Sequence, residues 1–270
     1  MRYGQLVIGP AGSGKSTFCK TISEYGASSS RLIKVVNLDP AADHFGYNCY
    51  ADVRQLICLD DVVGDKDLCL GPNGGLVFCM EYLVQNLQWL EEELGEEDDD
   101  YFLFDCPGQM ELYTHVPVMR TIVDELKRIN FNLCVVFILD TQFLLDVPKF
   151  MSGSLAALSA MVNLELPHIN VLTKMDLLSE QSKARLEAFF EADPRLADAV
   201  DNVDRFSMKY KRLTRSLSRI LEDYSLVKYV PFDINDEETI GDLLLVVDNA
   251  IQYGDDLEVR DRLPEMQDDQ

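Results

Sequence analysis

Histidine and closely spaced cysteine are scarce in this chain. Only three histidines occur, and none of the seven cysteines forms a C-x-x-C pair. These residues are the usual ligands of structural zinc, so we expect no zinc site. Because the cysteine count is odd and several thiols lie inside apolar runs, the pattern instead indicates free cysteines in a reducing compartment.

Positive charge is also in short supply. The chain has 24 lysines and arginines against 47 acidic residues, which gives a formal net charge of −23. Such a surface repels phosphate backbones and anionic lipids, so we expect no direct binding of nucleic acid or membrane. A neutral or basic protein partner fits better, although acidity that only keeps the protein soluble explains the charge equally well.

Long hydrophobic runs are missing. No run approaches the roughly 18 apolar residues of a membrane-spanning helix. The apolar stretch at residues 6–8 is too short for the core of a signal peptide and leads directly into glycines. We therefore expect a cytoplasmic protein.

Short apolar runs alternate with segments of helical periodicity. The runs cover residues 5–8, 32–38, 101–104, 133–139, 168–172 and 226–230; helices are predicted over 15–25, 77–94, 117–129, 149–162 and 239–253. Continuous apolar strands alternating with helices indicate a mostly parallel sheet covered on both faces. The sequence predicts a doubly wound α/β fold whose ligand lies at the carboxyl ends of the strands.

One segment departs from this alternation. Residues 179–224 have helical spacing and mixed charge without a strand pattern, which predicts a helical insertion before the last strand. The insertion could form a lid, a partner surface or only covering helices. We predict a single domain over residues 1–254, followed by an acidic, flexible tail over 255–270.

A phosphate-binding motif occupies residues 9–16, Gly-Pro-Ala-Gly-Ser-Gly-Lys-Ser, which match G-x-x-x-x-G-K-[ST] between a predicted strand and helix. The glycines let backbone N–H groups approach phosphate oxygens. Lys15 should reach the β- and γ-phosphates, and the Ser16 hydroxyl should ligate Mg²⁺. The predicted nucleotide-binding residues here are Gly12, Ser13, Gly14, Lys15, Ser16 and Thr17.

A second motif, D-x-x-G, follows the third predicted strand. Asp105 is predicted to hold Mg²⁺, and the backbone N–H of Gly108 to sense the γ-phosphate. Gln109 is placed to orient the attacking water. Glu111 could assist it or could be a helix-cap carboxylate.

Asp39 lies where the second predicted strand ends. A carboxylate at this position faces the nucleotide in a doubly wound fold. It could hold a Mg²⁺-bound water or polarise the attacking water. The alternative is an ordinary turn residue before proline.

The base-recognition motif is Thr173-Lys174-Met175-Asp176, which matches [NT]-K-x-D after the fifth predicted strand. The carboxylate of Asp176 can accept hydrogen bonds from guanine N1–H and the exocyclic amine, and adenine offers neither donor there. The stem of Lys174 can lie over the base. These four residues predict GTP and GDP as ligands.

Together the motifs resemble the GPN-loop GTPases, P-loop NTPases with a SIMIBI-like G domain. The family is named for the Gly-Pro-Asn tripeptide found here at residues 71–73, which on physical grounds alone is only a rigid turn. The resemblance spans nearly the whole chain and rests on residues 9–17, 37–42, 71–73, 105–113 and 173–176. Residues 78–82 and 250–254 are similar to the third of three eukaryotic paralogues.

The resemblance implies a Mg²⁺-dependent GTPase that dimerises through its nucleotide faces. It also implies that Asn73 reaches the γ-phosphate of the partner and stabilises the phosphate intermediate there. The expected partner is another GPN-loop paralogue in a heterodimer. The expected clients are RNA polymerase II subunits, with a role in their assembly and nuclear import and with shuttling to the nucleus.

Three other functions remain open at this stage. The chain could be a nucleotide-gated assembly chaperone or scaffold with little turnover. It could be a P-loop kinase for a small metabolite, although Lys174 and Asp176 argue against this. It could also be an ATP-using relative of the same fold.

Overall fold

The computed structural model describes residues 1–97, 100–145, 147–178, 216 and 228–254. Apart from Ser216, the predicted insertion at 179–224 lies outside the described residues, and so does the predicted tail at 255–270. The division into domain, insertion and tail therefore stays a prediction.

A single parallel sheet of seven strands forms the centre of the described part of the chain. The strands are β1 (Arg2–Ile8), β2 (Ile33–Asn37), β3 (Cys49–Asp52), β4 (Tyr101–Asp105), β5 (Phe131–Asp140), β6 (His168–Thr173) and β7 (Tyr229–Pro231). Their order is β3-β2-β4-β1-β5-β6-β7, and all six pairings are parallel. The central strands are buried and apolar, as a sheet covered on both faces requires.

Helices cover both faces of this sheet. They are α1 (Lys15–Ser28), α2 (Leu59–Gly64), α3 (Pro72–Gln85), α4 (Leu87–Leu94), α5 (Glu111–Thr114), α6 (Val118–Arg128), α7 (Val147–Leu164) and α8 (Glu237–Ile251), with 3₁₀ turns at Val53–Gln55, Thr141–Leu145 and Met175–Leu177. Helices α1 and α8 pack in one apolar cluster, and α3, α6 and α7 in the other. The predicted doubly wound α/β fold is confirmed.

Several elements differ from the sequence prediction, among them the short helices α2 and α5, which were not predicted. Strand β3 was not predicted, because it is a four-residue edge strand whose partly exposed side chains lack a continuous apolar run. The predicted helix at 77–94 begins earlier, at Pro72, and breaks at Asn86 into α3 and α4. Of the last predicted strand, 226–230, residues 226 and 227 lie outside the described residues, and the described strand is Tyr229–Pro231.

The topology gathers the motifs at one edge of the sheet. In register, Val7 of β1 lies beside Asp105 of β4, and Asp140 of β5 beside Thr173 of β6. Because the strands are parallel, all their carboxyl ends meet at this edge, where β1 leads into the phosphate-binding loop. None of the described helices has the length and apolarity needed to cross a membrane.

Candidate nucleotide site

The phosphate-binding loop is pressed against the sheet. Gly9 has φ +146°, and a Cβ there would lie 2.2 Å from the carbonyl oxygen of Ile138, so only glycine fits. Gly14, with φ +99°, precedes the first turn of α1, and no side chain caps that turn. The first backbone N–H groups of α1 therefore point into the loop, where they can bind an anion.

Lys15 is buried beneath this loop. Its Nζ donates to the carbonyl oxygens of Gly9 and Pro10, at 3.2 Å each. Burial lowers the pKa of the ammonium, and the nearby carboxylates of Asp105 and Asp39 oppose that effect. The side chain is thus held where the terminal phosphates of a nucleotide would lie.

Asp105 is buried at the end of β4. Its Oδ2 accepts a hydrogen bond from the Tyr47 hydroxyl at 2.9 Å, and its carboxylate also accepts one from the Ser16 hydroxyl. Burial raises the pKa of Asp105, while these two hydrogen bonds oppose the rise. The structure therefore brings two of the three predicted Mg²⁺-binding residues, Ser16 and Asp105, into contact.

Asp39 follows β2 and faces the same space. Its Oδ1 accepts the backbone N–H of Ala41 at 2.9 Å. Burial raises its pKa, and this amide, Lys15 and Arg54 lower it to a smaller extent. The carboxylate is thus both a turn residue and a wall of the site, so the two interpretations of the sequence are compatible.

These groups line one cleft of about 440 Å³, a volume within the range of ligand sites. Its lining residues are Ala11, Gly12, Gly14, Lys15, Ser16, Thr17, Asp39, Ala42, Asp105, Gly108 and Lys174. Nine of these eleven were predicted from sequence; Ala11 and Ala42 were not.

The base-recognition motif, residues 173–176, is hydrogen-bonded to the phosphate-binding loop. Thr173 Oγ1 donates to the carbonyl oxygen of Ser13 at 2.6 Å, and Lys174 Nζ donates to that of Gly12 at 2.9 Å. Met175 is buried, whereas Asp176 is exposed in a short 3₁₀ turn. These two side-chain hydrogen bonds hold the segment before Asp176 against the phosphate-binding loop, while the Asp176 carboxylate stays accessible.

Sequence reasoning missed Asp140. Its Oδ2 lies 2.6 Å from Lys174 Nζ, and its Oδ1 accepts the backbone N–H of Gln142. The available signal was its place directly after the fourth predicted strand, because acidic residues at strand ends face the ligand in this architecture.

The predicted water-positioning residues lie beside the cleft and not in its lining. A Cβ on Gly108 would approach Ala11 Cα to 2.9 Å, so the D-x-x-G turn touches the phosphate-binding loop. Gln109 has a buried Oε1 without a hydrogen-bond partner among the described residues. Glu111 is exposed in the first turn of α5. Their roles stay predictions.

Asn73 lies outside the cleft of its own chain. The turn expected at residues 71–75 is the start of a helix: Gly71 is the N-cap and Pro72 the first residue of α3. The Asn73 side chain is exposed. An exposed position outside its own cleft is compatible with action on another chain, and the role of Asn73 stays a prediction.

The oxygen donors around the cleft suit Mg²⁺. Ser16, Asp105 and Asp39 are hard oxygen ligands, and Mg²⁺ typically takes one or two carboxylates together with phosphate oxygens and waters. In the described part of the chain no group of three or more histidine, cysteine or acidic side chains could hold a metal by itself. The remaining ligands would have to come from nucleotide and water.

Comparison with known proteins identifies the family. The sequence profile of a family described as "Conserved hypothetical ATP binding protein" matches residues 7–253. A protein named GPN-loop GTPase 3 from Danio rerio is 52% identical over 260 residues, covering 96% of this chain and 91% of the relative. Its namesake from Xenopus tropicalis is 53% identical over 262 residues, with the same coverage.

This chain belongs to the GPN-loop GTPase family. The predicted family and its third eukaryotic branch are confirmed, since further relatives of that name include one from Dictyostelium discoideum, 49% identical over 96% of this chain and 90% of the relative. A crystal structure described as a GTPase in apo form from Pyrococcus abyssi has a TM-score of 0.77, covering 92% of this chain and 97% of that one. Its identity is 24%, so it bears on the fold alone.

Proposed function

We propose that this chain binds GTP with Mg²⁺ and hydrolyses it to GDP and phosphate. The observation that carries the proposal is the attachment of Thr173 and Lys174 to the backbone of the phosphate-binding loop. This attachment supports the proposal because it holds the backbone before Asp176, the carboxylate proposed to recognise guanine, against the loop proposed to bind the phosphates.

The family profile is described as ATP-binding, whereas the relatives are named GTPases. The way in which the site would recognise the base distinguishes these two descriptions. Asp176 can accept two hydrogen bonds from guanine, and adenine has neither donor. Opposite adenine, the Asp176 carboxylate would lose its hydrogen bonds to water and gain none from the base, which would weaken ATP binding. The chemistry of the site therefore supports GTP.

The chain's own groups supply most of the electrostatic stabilisation. Backbone N–H groups of the loop and the first turn of α1 bind the phosphates, and Lys15 exchanges its loop carbonyls for phosphate oxygens as negative charge develops. Ser16 and Asp105 would hold Mg²⁺, which would neutralise negative charge on the phosphates. Gly108 N–H senses the γ-phosphate, while Gln109, with Asp39 or Glu111, orients the attacking water.

Hydrolysis is proposed to depend on a dimer. Asn73 is exposed and does not line its own cleft, which supports a role at the γ-phosphate of a second chain. By family resemblance, that second chain is another GPN-loop paralogue that packs nucleotide face to nucleotide face. Size-exclusion chromatography with a non-hydrolysable GTP analogue, alone and after co-expression with the paralogue, tests this arrangement.

The cellular role rests on family resemblance. The chain is proposed to assist assembly of RNA polymerase II subunits and their import, working in the cytoplasm and shuttling to the nucleus. The net charge of −23 favours a protein client over a nucleic acid. Depletion should leave RNA polymerase II subunits in the cytoplasm, and an unchanged distribution would contradict this role.

A nucleotide-gated scaffold with little turnover is the second candidate. The observation that favours it is the position of Gln109, Glu111 and Asn73, none of which lines the cleft. Such a protein would bind GTP tightly and hydrolyse it slowly until a partner completes the site.

One assay separates these functions. Phosphate release is measured from GTP and from ATP, with Mg²⁺ and with EDTA, for the chain alone and with its paralogue. Magnesium-dependent release from GTP that excess ATP does not inhibit supports the proposal, and Lys15→Ala is the inactive control. Tight GTP binding with negligible single-turnover hydrolysis would indicate the scaffold, and phosphate transfer to a nucleoside acceptor would indicate a kinase.

A further inference from the structure

Arg54 follows the edge strand β3 and holds its last residue, Asp52, with a bidentate ion pair. Its Nη2 lies 2.6 Å from Asp52 Oδ2, and its Nε lies 3.0 Å from both carboxylate oxygens. The Arg54 side chain is 28% exposed and that of Asp52 15%. This planar, partly shielded geometry is the kind that restricts motion, in contrast to a loose surface ion pair.

A first arm runs from this ion pair to Asp39. The fully buried Asn37 donates from Nδ2 to Asp52 Oδ1 at 2.8 Å. The same amide accepts the backbone N–H of Asp39 on its Oδ1 at 3.0 Å and donates to the Asp39 carbonyl at 3.1 Å. The backbone of Asp39 is thus set by a hydrogen-bonded chain that begins at Arg54.

A second arm runs from Arg54 to Asp105. Arg54 Nη1 donates to the carbonyl oxygens of Ala42 and Asp43, at 2.8 and 3.1 Å. The guanidinium lies over the ring of Phe45, 4.8 Å from its centroid.

The ring of Phe45 continues this arm. It stacks on Tyr47 with centroids 4.6 Å apart and planes within 8°. The hydroxyl of Tyr47 donates to Asp105 Oδ2 at 2.9 Å. One guanidinium is therefore connected to the backbone of Asp39 and to the carboxylate of Asp105, the two acidic residues that line the phosphate cleft.

We propose that Arg54 is a positioning residue for the metal side of the nucleotide site, because its two arms hold the backbone of Asp39 and the carboxylate of Asp105, which would supply oxygen donors to Mg²⁺ or its waters. The inference rests on the proposed binding of Mg²⁺ with GTP. Arg54 does not line the cleft, so its effect on the site would be indirect. Lysine cannot replace it, because an ammonium lacks the fork that pairs with Asp52 while reaching Ala42 and Asp43.

The test measures Mg²⁺ dependence without relying on turnover. Release of a fluorescent N-methylanthraniloyl GTP is followed as MgCl₂ is titrated from an EDTA-treated start. For Arg54→Lys we expect the Mg²⁺ concentration that half-maximally slows release to rise about tenfold or more, as for other residues that orient metal ligands. Affinity in EDTA should stay within about twofold, since the phosphate-binding loop and Asp176 are untouched.

Arg31 offers a matched control. It also forms a bidentate pair, with Asp248 at 2.6 and 2.7 Å, and its guanidinium lies over Tyr101 and Tyr253. Arg31 precedes β2, so it lies at the amino ends of the strands, away from the nucleotide cleft at their carboxyl ends. Arg31→Lys should cost comparable stability and leave the Mg²⁺ titration unchanged.

Each outcome decides the inference. Equal Mg²⁺ shifts in Arg54→Lys and Arg31→Lys would make Arg54 a merely structural residue and overturn it, as would no shift in either. If Arg54→Lys does not fold, Tyr47→Phe decides, because it removes only the hydroxyl on Asp105 and should raise the half-maximal Mg²⁺ concentration. Release that is insensitive to Mg²⁺ in the unmodified chain overturns both the inference and Mg²⁺ binding, whereas Mg²⁺-sensitive release without hydrolysis overturns turnover alone.

Discussion

The ammonium of Lys174 lies 2.6 Å from the carboxylate of Asp140, in a pair whose side chains are 31% and 10% exposed. The same ammonium donates to the carbonyl oxygen of Gly12. Asp140 therefore holds the lysine that joins the guanine motif to the phosphate-binding loop, and it does so from the strand between β1 and β6.

Asp140→Asn should weaken GTP binding. The amide keeps the bond to Gln142 and loses the charge that orients Lys174, which corresponds to about 1–2 kcal/mol, or roughly tenfold in affinity. Equilibrium titration with fluorescent GTP measures the change. Asp124→Asn, which alters a surface pair with Arg120, is the control and should have no effect. Unchanged GTP affinity in Asp140→Asn would mean that the ion pair with Asp140 is not needed to orient Lys174.

Asp176→Asn should change the preferred base. Losing the charged acceptor for guanine N1–H and the exocyclic amine should cost roughly 3 kcal/mol, or about a hundredfold in GTP affinity. Xanthosine triphosphate carries a carbonyl where guanine has the amine, so the asparagine N–H should bind it in return. Competition titrations with GTP, XTP and ATP measure both effects. An equal loss for all three nucleotides would show a folding defect instead of base recognition.

Gln109→Ala should separate catalysis from binding. If Gln109 orients the attacking water, hydrolysis should fall about a hundredfold or more, while GTP affinity changes less than twofold. Single-turnover phosphate release, measured with the dimer partner present, tests this. Glu111→Ala is the paired variant: a larger loss there than in Gln109→Ala would assign the water to Glu111.

Asn73→Ala should reduce hydrolysis without changing stability or nucleotide affinity, because the side chain is exposed at the start of α3. If it acts across a dimer of this chain, mixing Asn73→Ala chains with Lys15→Ala chains should restore activity. In a heterodimer the loss should appear at the nucleotide bound by the partner. Asn48→Ala, another exposed asparagine, is the control. A defect that mixing or pairing never relieves would place Asn73 in its own site.

As the pH falls, Mg²⁺-dependent GTP binding should weaken at a higher pH than it would if Asp39 and Asp105 had ordinary pKa values. Burial raises the pKa of both Asp39 and Asp105 above the usual 3.8, and metal binding needs both ionised. For the same reason, ionised Asp105 costs the metal-free fold stability at neutral pH, and this cost disappears below its unfolded-state pKa.

Asp105→Asn tests whether the ionised carboxylate of Asp105 destabilises the metal-free fold. It should raise the melting temperature of the nucleotide- and metal-free protein at pH 7, and its advantage should shrink as the pH falls toward 4. Thermal denaturation over a pH series measures this. Asp60→Asn, at an exposed acid on α2, is the control. A lower melting temperature for Asp105→Asn at pH 7 would contradict the argument.

The parts of the fold that follow from buried strands could be predicted, since continuous apolar runs such as 133–139 report burial on both faces. Strand β3 could not, because it has one neighbour and partly exposed side chains, and its pairing depends on β2. The two-helix break at Asn86 carries no proline or glycine signal in the sequence.

The residues of the site also fall into those that could be predicted from the sequence and those that could not. Lys15, Ser16, Asp105 and Lys174 belong to contiguous motifs with fixed spacing, so they could be located without coordinates. Tyr47 and Arg54 act on residues far along the chain or through several intermediates. No local pattern marks such contacts, since they exist only after β2, β3 and β4 are aligned.

The glycine that opens the phosphate-binding loop bears on how a nucleotide change is transmitted. With the carbonyl of Ile138 2.2 Å from where a methyl group on Gly9 would lie, the loop has no room to recoil into the sheet. We expect departure of the γ-phosphate to be accommodated on the opposite side of the cleft, around Asp39, which follows β2. Strand β3, which pairs with β2 alone through a bulged register, would then shift relative to the central strands of the sheet.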